Sequence, residues 1–308
     1  MTPPTVALCY HRVLDSFGDA ARGWPYFARG TAVSLETFVA QMRALAARFD
    51  VVLPDPGAPR RWTSARGRPC CWLTFDDGYR EVYDVVRTVL ADLGMRATVF
   101  VTTCTLQTPP VPLPADRWFA ALTSAARRRG ELRIGDHRWH FDLEDASDRA
   151  RFIDGPERRA FLRANAETQA DVLARLAEAL DARATPSEET YLTPSQVREL
   201  VGQGWSVGAH GASHAIFDTL DEDSIARELA AIDDTFRRHE FPPPTTFAWP
   251  DGAASDRARA ILAARGYTVL AALGSSVVTE ASDDDVPRYI VPDDPRWVER
   301  TLAPLVLG

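Results

Sequence analysis

Short apolar runs of strand length alternate with stretches of helical periodicity along most of this chain. Val6 to Tyr10 reads as a strand, Leu35 to Phe49 behind Ser34 as a helix, and Cys70 to Phe75 as a strand buried on both faces. The rhythm continues with a helix from Tyr79 to Leu93 closed by Gly94 and a strand from Ala97 to Thr103. It resumes with a helix opening at Thr193-Pro194, where Gln196 completes a capping box. The strand Trp205 to Ala209, the helix Asp221 to Arg238, the strand Thr246 to Trp249, the helix Ser255 to Arg265 closed by Gly266, and the strand Tyr267 to Ala271 follow. Strands alternating with helices in this way predict an α/β protein whose β-α units share one sheet or barrel.

Residues 106–190 interrupt the rhythm. A proline-rich entry (Pro109, Pro110, Pro112, Pro114) leads to a hairpin predicted around Gly135-Asp136 and a long helix from about Pro156 to Leu180. This reads as an insertion within a single domain spanning 1–308. Leu162, Val172, Leu176 and Leu180 recur at helical spacing and are expected to pack onto the barrel, with a dimer contact as the alternative; the oligomeric state is not set by the sequence. Leu132 to Leu143 alternates apolar and polar residues, which places His137 and His140 on a solvent side.

Composition narrows the class. With 308 residues, 45% of them hydrophobic, the chain can bury a large core. A formal charge of -8 offers no surface that would track nucleic-acid phosphates. No run approaches the roughly 20 apolar residues of a membrane span, and no leader-like segment opens the sequence, so a cytoplasmic location is expected. Cys9, Cys70, Cys71 and Cys104 lack metal-knuckle spacing and read as buried free thiols. The aspartates at 283–285 and 293–294 read as facing water.

Four predicted strands end in chemically capable side chains. Cys70 to Phe75 ends in Asp76-Asp77-Gly78, at the edge where parallel strands deliver active-site groups. Alone, Asp-Gly is a turn signal. Strand neighbours point in opposite directions, so a turn at Gly78 would let one carboxylate face a metal while the other reaches water. Trp205 to Ala209 ends in His210-Gly211-Ala212-Ser213-His214, two imidazoles four residues apart. One carboxylate and two imidazoles make an open three-ligand site for zinc or another borderline divalent ion. The first strand ends in Tyr10-His11, which makes His11 a candidate general acid. A fourth end, Phe247-Ala248-Trp249-Pro250-Asp251-Gly252, could wall a sugar-sized pocket with Trp249 and Pro250 while a backbone amide faces an oxyanion; Tyr79 joins it on the substrate side.

Leu73-Thr74-Phe75-Asp76-Asp77-Gly78, Gly208-Ala209-His210-Gly211-Ala212-Ser213-His214 and Phe247-Ala248-Trp249-Pro250-Asp251-Gly252 together resemble the polysaccharide deacetylase family, also called the NodB-homology family or carbohydrate esterase family 4. The resemblance covers residues 5 to 290. It implies a distorted (β/α) barrel of about seven strands, a metal at its C-terminal mouth, and hydrolysis of N-acetyl groups on amino sugars. It further implies Asp76 as base and Asp77, His210 and His214 as metal ligands, with Zn2+ the expected ion and Ni2+, Co2+ or Fe2+ as alternatives. The family's downstream Leu-x-His acid motif is absent, since no histidine follows His239. Ala7-Leu8-Cys9-Tyr10-His11-Arg12-Val13 is instead similar to the Tyr-His-x-Val element of the circularly permuted branch that deacetylates poly-N-acetylglucosamine, where this histidine is the acid.

Two departures bear on the site. Ala248 stands where many members carry an arginine that orients the base, and Arg288 is the candidate substitute, with a surface position as its alternative. Asp251 replaces a usual aromatic residue, keeping an oxyanion-binding amide but adding a carboxylate. The expected substrate is an N-acylated amino sugar or a small glycosylated precursor. A deformylase, an O-acetyl esterase and a non-catalytic carbohydrate-binding relative are the competing readings.

Overall fold

The computed structural model describes residues 4–15, 20–55, 62–64, 66–134, 137–278 and 285–307. Seven parallel strands close into a barrel: β1 (Thr5–Tyr10), β2 (Cys70–Phe75), β3 (Thr98–Val101), β4 (Ser206–Ala209), β5 (Thr246–Ala248), β6 (Val269–Leu273) and β7 (Val286–Ile290). Each strand pairs with its neighbours in chain order. β1 closes the ring by pairing β2 from Thr5↔Cys70 to Tyr10↔Phe75 and β7 from Ala7↔Arg288 to Cys9↔Ile290. A two-residue strand, Asp50–Val51, adds to the start of β2. Among the described residues, no helix is long and apolar enough to cross a membrane.

Strand alternation sorts the barrel's side chains into two sets. Val6, Leu8, Leu73, Phe75, Val99, Val101 and Phe247 face outward into the core beneath the helices. Ala7, Trp72, Phe100, Ala248, Val269, Ala271 and Val286 form a second, interior cluster. That interior is tightly filled: a Cβ at Gly208 would lie 2.3 Å from Thr246 Oγ1 and 2.5 Å from the Phe100 ring, so only glycine fits there. The interior turns polar toward the C-terminal mouth, where Thr74, Asp76 and Arg288 are buried.

Capping chemistry sets the helix starts as expected. Ser34 accepts from the Thr37 amide at 3.2 Å to start Leu35–Arg48, and Thr193 with Gln196 forms the capping box of Pro194–Gly202. The stretch after Gly78 begins as a π-helical turn, Val82–Val86, before Arg87–Asp92. Elements with no counterpart in the sequence reading include the helix Ala20–Arg29, which carries Pro25, and β7, the strand that brings Arg288 into the barrel.

Residues 106–190 differ from expectation in one respect and extend it in another. The long helix is broken into Pro156–Arg163 and Ala166–Leu180, because the Asn165 side chain accepts from the Thr168 amide at 2.9 Å and caps a new helix. Leu162, Val172, Leu176 and Leu180 are buried, in a core that the insertion shares with Trp118, Phe152, Phe161, Tyr26 and Tyr79 rather than in the barrel's own core. The strands Arg129–Ile134 and His137–Asp142 pair antiparallel; their turn, Gly135-Asp136, and the side chain of His137 lie outside the described residues. The His140 side chain is exposed, as expected.

One of the aspartates read as facing water is a correction, while Asp293 is exposed as expected. Asp283 and Asp284 lie outside the described residues, but the side chain of Asp285 is nearly covered against Arg259, at 3.0 Å, and accepts from Trp249 Nε1 at 2.8 Å. Arg259, on the helix Asp256–Ala264, holds it there. Of the four free cysteines, Cys104 is only half-buried.

Candidate active site

The strand ends converge. His11 follows β1, Asp76 and Asp77 follow β2, His210 follows β4, and Trp249 follows β5; all five line one cavity of about 70 Å³ together with Tyr79, Asp251 and His214. On the scale of roughly 10–15 Å³ per water, that is room for about five waters, or for an acyl group with its attacking water. The insertion supplies the opposite wall with Leu113, Asp116, Phe119, Arg158 and Leu162.

Asp76 continues the inward alternation of Trp72 and Thr74, whereas Asp77 adopts φ 70° and swings its carboxylate into the same cavity. His214 (φ 62°) and Asp251 (φ 54°) share this left-handed conformation. Three of the five non-glycine residues with positive φ among those described therefore sit at this site, where local strain is held by the surrounding packing. Glu228, from the helix Glu222–Arg238, fixes the loop that carries His214: it accepts from the amides of Ala212 (2.6 Å) and Ser213 (3.1 Å) and from Ser213 Oγ (2.6 Å).

Asp77, His210 and His214 are brought together as a group that could hold a metal ion, with donor atoms within 4.8 Å of one another. His210 Nδ1 donates to the Ala248 carbonyl at 2.8 Å, which leaves Nε2 unprotonated toward the cavity. That Nε2 lies 3.5 Å from Asp77 Oδ1, and His214 Nε2 lies 3.4 Å from the same oxygen. Among the described residues, Asp77 Oδ1 is buried without a hydrogen-bond partner. Such an oxygen between two imidazole nitrogens is costly unless a cation completes it, so these residues fit a divalent ion. Burial works to raise the Asp77 carboxyl, but the facing His214, with His11 and His210 behind it, holds it down at about 2. Burial outweighs Asp76 at His210 and lowers that imidazole to about 4; at His214, burial is outweighed by Asp77 and the shift is upward.

A second trio, Cys9, His11 and Asp76, is also close enough to hold a metal. It does not suit one. Burial pushes the Cys9 thiol well above its ordinary range, so it stays protonated, and it donates to Asp76 Oδ2 at 3.3 Å. Asp76 itself is occupied: Arg288 Nη1 donates to Oδ1 at 2.6 Å and Nη2 to Oδ2 at 2.8 Å. Burial raises the Asp76 carboxyl, yet Arg288 and His210 hold it well below the usual carboxylate range. Arg288 is fully buried, anchored by Thr74 Oγ1 at 2.8 Å, so the surface alternative for it is overturned: β7 is the last strand of the ring and aims this side chain inward.

The remaining candidates are placed as follows. His11 lines the cavity, with Nδ1 3.9 Å from Cys9 Sγ. Tyr79 lines it too, but its hydroxyl donates to Asp116 Oδ1 at 2.7 Å. Trp249 presents an edge and is otherwise core. Pro250 is buried in its turn and is not among the lining residues. The Asp251 carboxylate faces Arg29 at 3.7 Å. Sequence reasoning missed Glu228, Asp116, Arg29 and Arg158. Arg158 had a local signal: it lies three and four residues before Phe161 and Leu162, on the same face of its helix.

The family model for polysaccharide deacetylase matches residues 63–160 and 161–270, more than half of the chain. Solved structures share the fold. They include the deacetylase PplD of Streptococcus pyogenes in complex with acetate (TM-score 0.60, 15% identity, 99% of each chain covered) and IcaB of Ammonifex degensii (TM-score 0.59, 18% identity, 99% of this chain and 98% of that one). A de-N-acetylase of Aggregatibacter actinomycetemcomitans aligns with TM-score 0.56 and 14% identity over 94% of this chain and 96% of its own. Among curated protein sequences none matches.

Proposed function

The chain belongs to the polysaccharide deacetylase family, and from that premise we propose that it hydrolyses the N-acyl group of an amino sugar, with Asp76 as base, His11 as acid, and a divalent ion held by Asp77, His210 and His214. The observation that carries this reading is the buried, unpartnered Asp77 Oδ1 between two imidazole nitrogens, beside a second carboxylate that is separately fixed. One carboxylate and two imidazoles suit Zn2+, with Ni2+, Co2+ and Fe2+ as alternatives. When bound, the ion supplies Lewis acidity at the acyl carbonyl and acidifies water.

The chain's own residues do the rest. Two ionised oxygens offer about four lone-pair sites, and Asp76 uses three on Arg288 and Cys9, which leaves one for the proton of an attacking water. Pairing with Arg288 keeps Asp76 ionised and rigid, a carboxylate held ready to accept a proton at the cavity. The proton for the departing amine comes from His11, on the β1 side of the cavity. The Asp251 amide, set by the left-handed turn, contributes to oxyanion binding.

The test is a substrate panel of N-acetylated, N-formylated and O-acetylated sugars. Acetate released with a free amine from the N-acetylated members is expected. Formate or O-acetyl cleavage alone would reassign the bond, and no turnover on any member would contradict the reading in favour of a binding relative.

A further inference from the structure

Arg158 is a buried cation that lines the cavity of the proposed reaction, and among the described residues no carboxylate is in ion-pair contact with it. It is 4% exposed, its Nε has no hydrogen-bond partner, and its guanidinium sits over the Phe119 ring at 4.7 Å. The nearby carboxylates are engaged elsewhere. Asp116 accepts from the hydroxyls of Tyr26, Tyr79 and Tyr191; Asp154 is paired with Arg159 at 2.8 Å and lies 3.6 Å from Arg29; Asp251 faces Arg29 at 3.7 Å. Burial, with Arg29 close by, lowers the Arg158 guanidinium to about 10, which leaves it charged at neutral pH. A desolvated cation with no counter-ion is costly to maintain, and a guanidinium backed by an aromatic face presents its N–H edge for an oxyanion.

We infer that Arg158, with Arg29 at the rim, receives an anionic oxygen group, a carboxylate or a phosphate, carried by the amino-sugar substrate. The inference rests on the deacylase reading and narrows its substrate class. Both arginines come from outside the barrel: Arg29 ends the helix Ala20–Arg29 and Arg158 belongs to the insertion. The barrel would then supply the hydrolytic groups and the added segments the selectivity. Asp251 has a role in the same arrangement, holding Arg29 beside the cavity at 3.7 Å.

The experiment compares metal-loaded wild type on N-acetylglucosamine 1-phosphate, N-acetylmuramic acid and the neutral methyl N-acetylglucosaminide. One anionic compound is expected to exceed the neutral one in kcat/KM by roughly 30-fold, the scale of a hydrogen-bonded charge pair, and which one it is separates phosphate from carboxylate. In Arg158→Gln that ratio collapses toward one, and Arg158→Lys retains part of it. Equal turnover of charged and neutral compounds by wild type, or an unchanged ratio in a folded Arg158→Gln, overturns the proposal; the wild-type ratio decides even if that variant fails to fold. If no compound is deacetylated, the deacylase reading fails by itself. Calorimetric binding of the same three compounds then tests Arg158 separately, with preferential binding of an anionic one expected and equal binding contradicting it.

Discussion

Arg288 holds Asp76 through two parallel hydrogen bonds, Nη1 to Oδ1 at 2.6 Å and Nη2 to Oδ2 at 2.8 Å, inside a barrel where the arginine has no exposed surface. The carboxylate end of β2 is thereby fixed from β7, on the other side of β1. In Arg288→Met the carboxylate is left buried and unpaired, which is expected to cost about 3–5 kcal/mol in urea unfolding. Mispositioning of the base should lower kcat roughly 100-fold. An Arg288→Met variant with wild-type stability and turnover would show that the pair orients nothing.

His11 is not one of the three residues proposed to hold the ion, so the two proposed roles should separate on mutation. His11→Ala is expected to lower kcat by about 10²–10⁴-fold, the range for loss of a general acid, with the metal content measured by elemental analysis unchanged. His214→Ala should lose the metal itself. A His11→Ala variant that keeps its turnover would place the acid elsewhere.

Asp116 joins the insertion to the barrel mouth by accepting from Tyr26 and Tyr79, each at 2.7 Å, and from Tyr191. Replacing it with leucine strands three buried hydroxyls and should destabilise the protein by about 3 kcal/mol or more in urea unfolding. Cleavage of residues 106–190 in limited proteolysis should quicken in parallel. If neither the urea midpoint nor the cleavage rate moves, the cluster does not tie the insertion down.

The buried His210 gives a pH signature in metal-free protein. Burial lowers the folded imidazole to about 4, against 6.5 for the ordinary value. The unfolded chain therefore takes up a proton that the folded chain refuses, and stability present above pH 6.5 is lost as the pH falls toward 4. Asp76 acts in the same direction at lower pH, and His214, raised, acts in the opposite direction. In EDTA, the loss of stability between pH 7 and 5 should shrink by on the order of 1–2 kcal/mol in His210→Gln. An identical loss in both proteins would mean that His210 is not held neutral by burial.

The barrel was legible where parallel strands are buried on both faces, because such strands read as unbroken apolar runs; Cys70–Phe75 carries its boundaries in its sequence. β7 gave no such signal, since Val286-Pro287-Arg288-Tyr289-Ile290 puts a charged residue on its inward face and a proline beside it. The break before Asn165 was a capping signal hidden within an alanine-rich periodicity. The convergence of Asp77, His210 and His214 followed from strand ends and local spacing. The engagement of Asp285 with Arg259 and of Asp116 with three tyrosines depends on contacts between distant elements that no local pattern encodes. Arg158 was half legible: its helix face was readable, but that no described carboxylate is in ion-pair contact with it emerges only from the folded structure.

The most direct test of the central claim is a zinc titration of turnover, with acetate release from an N-acetylated amino sugar measured for metal-stripped protein. The account predicts negligible release without metal, full activity near one equivalent, and no recovery in Asp77→Asn or His210→Ala. Undiminished release from stripped protein, or recovery in either variant equal to wild type, would contradict it.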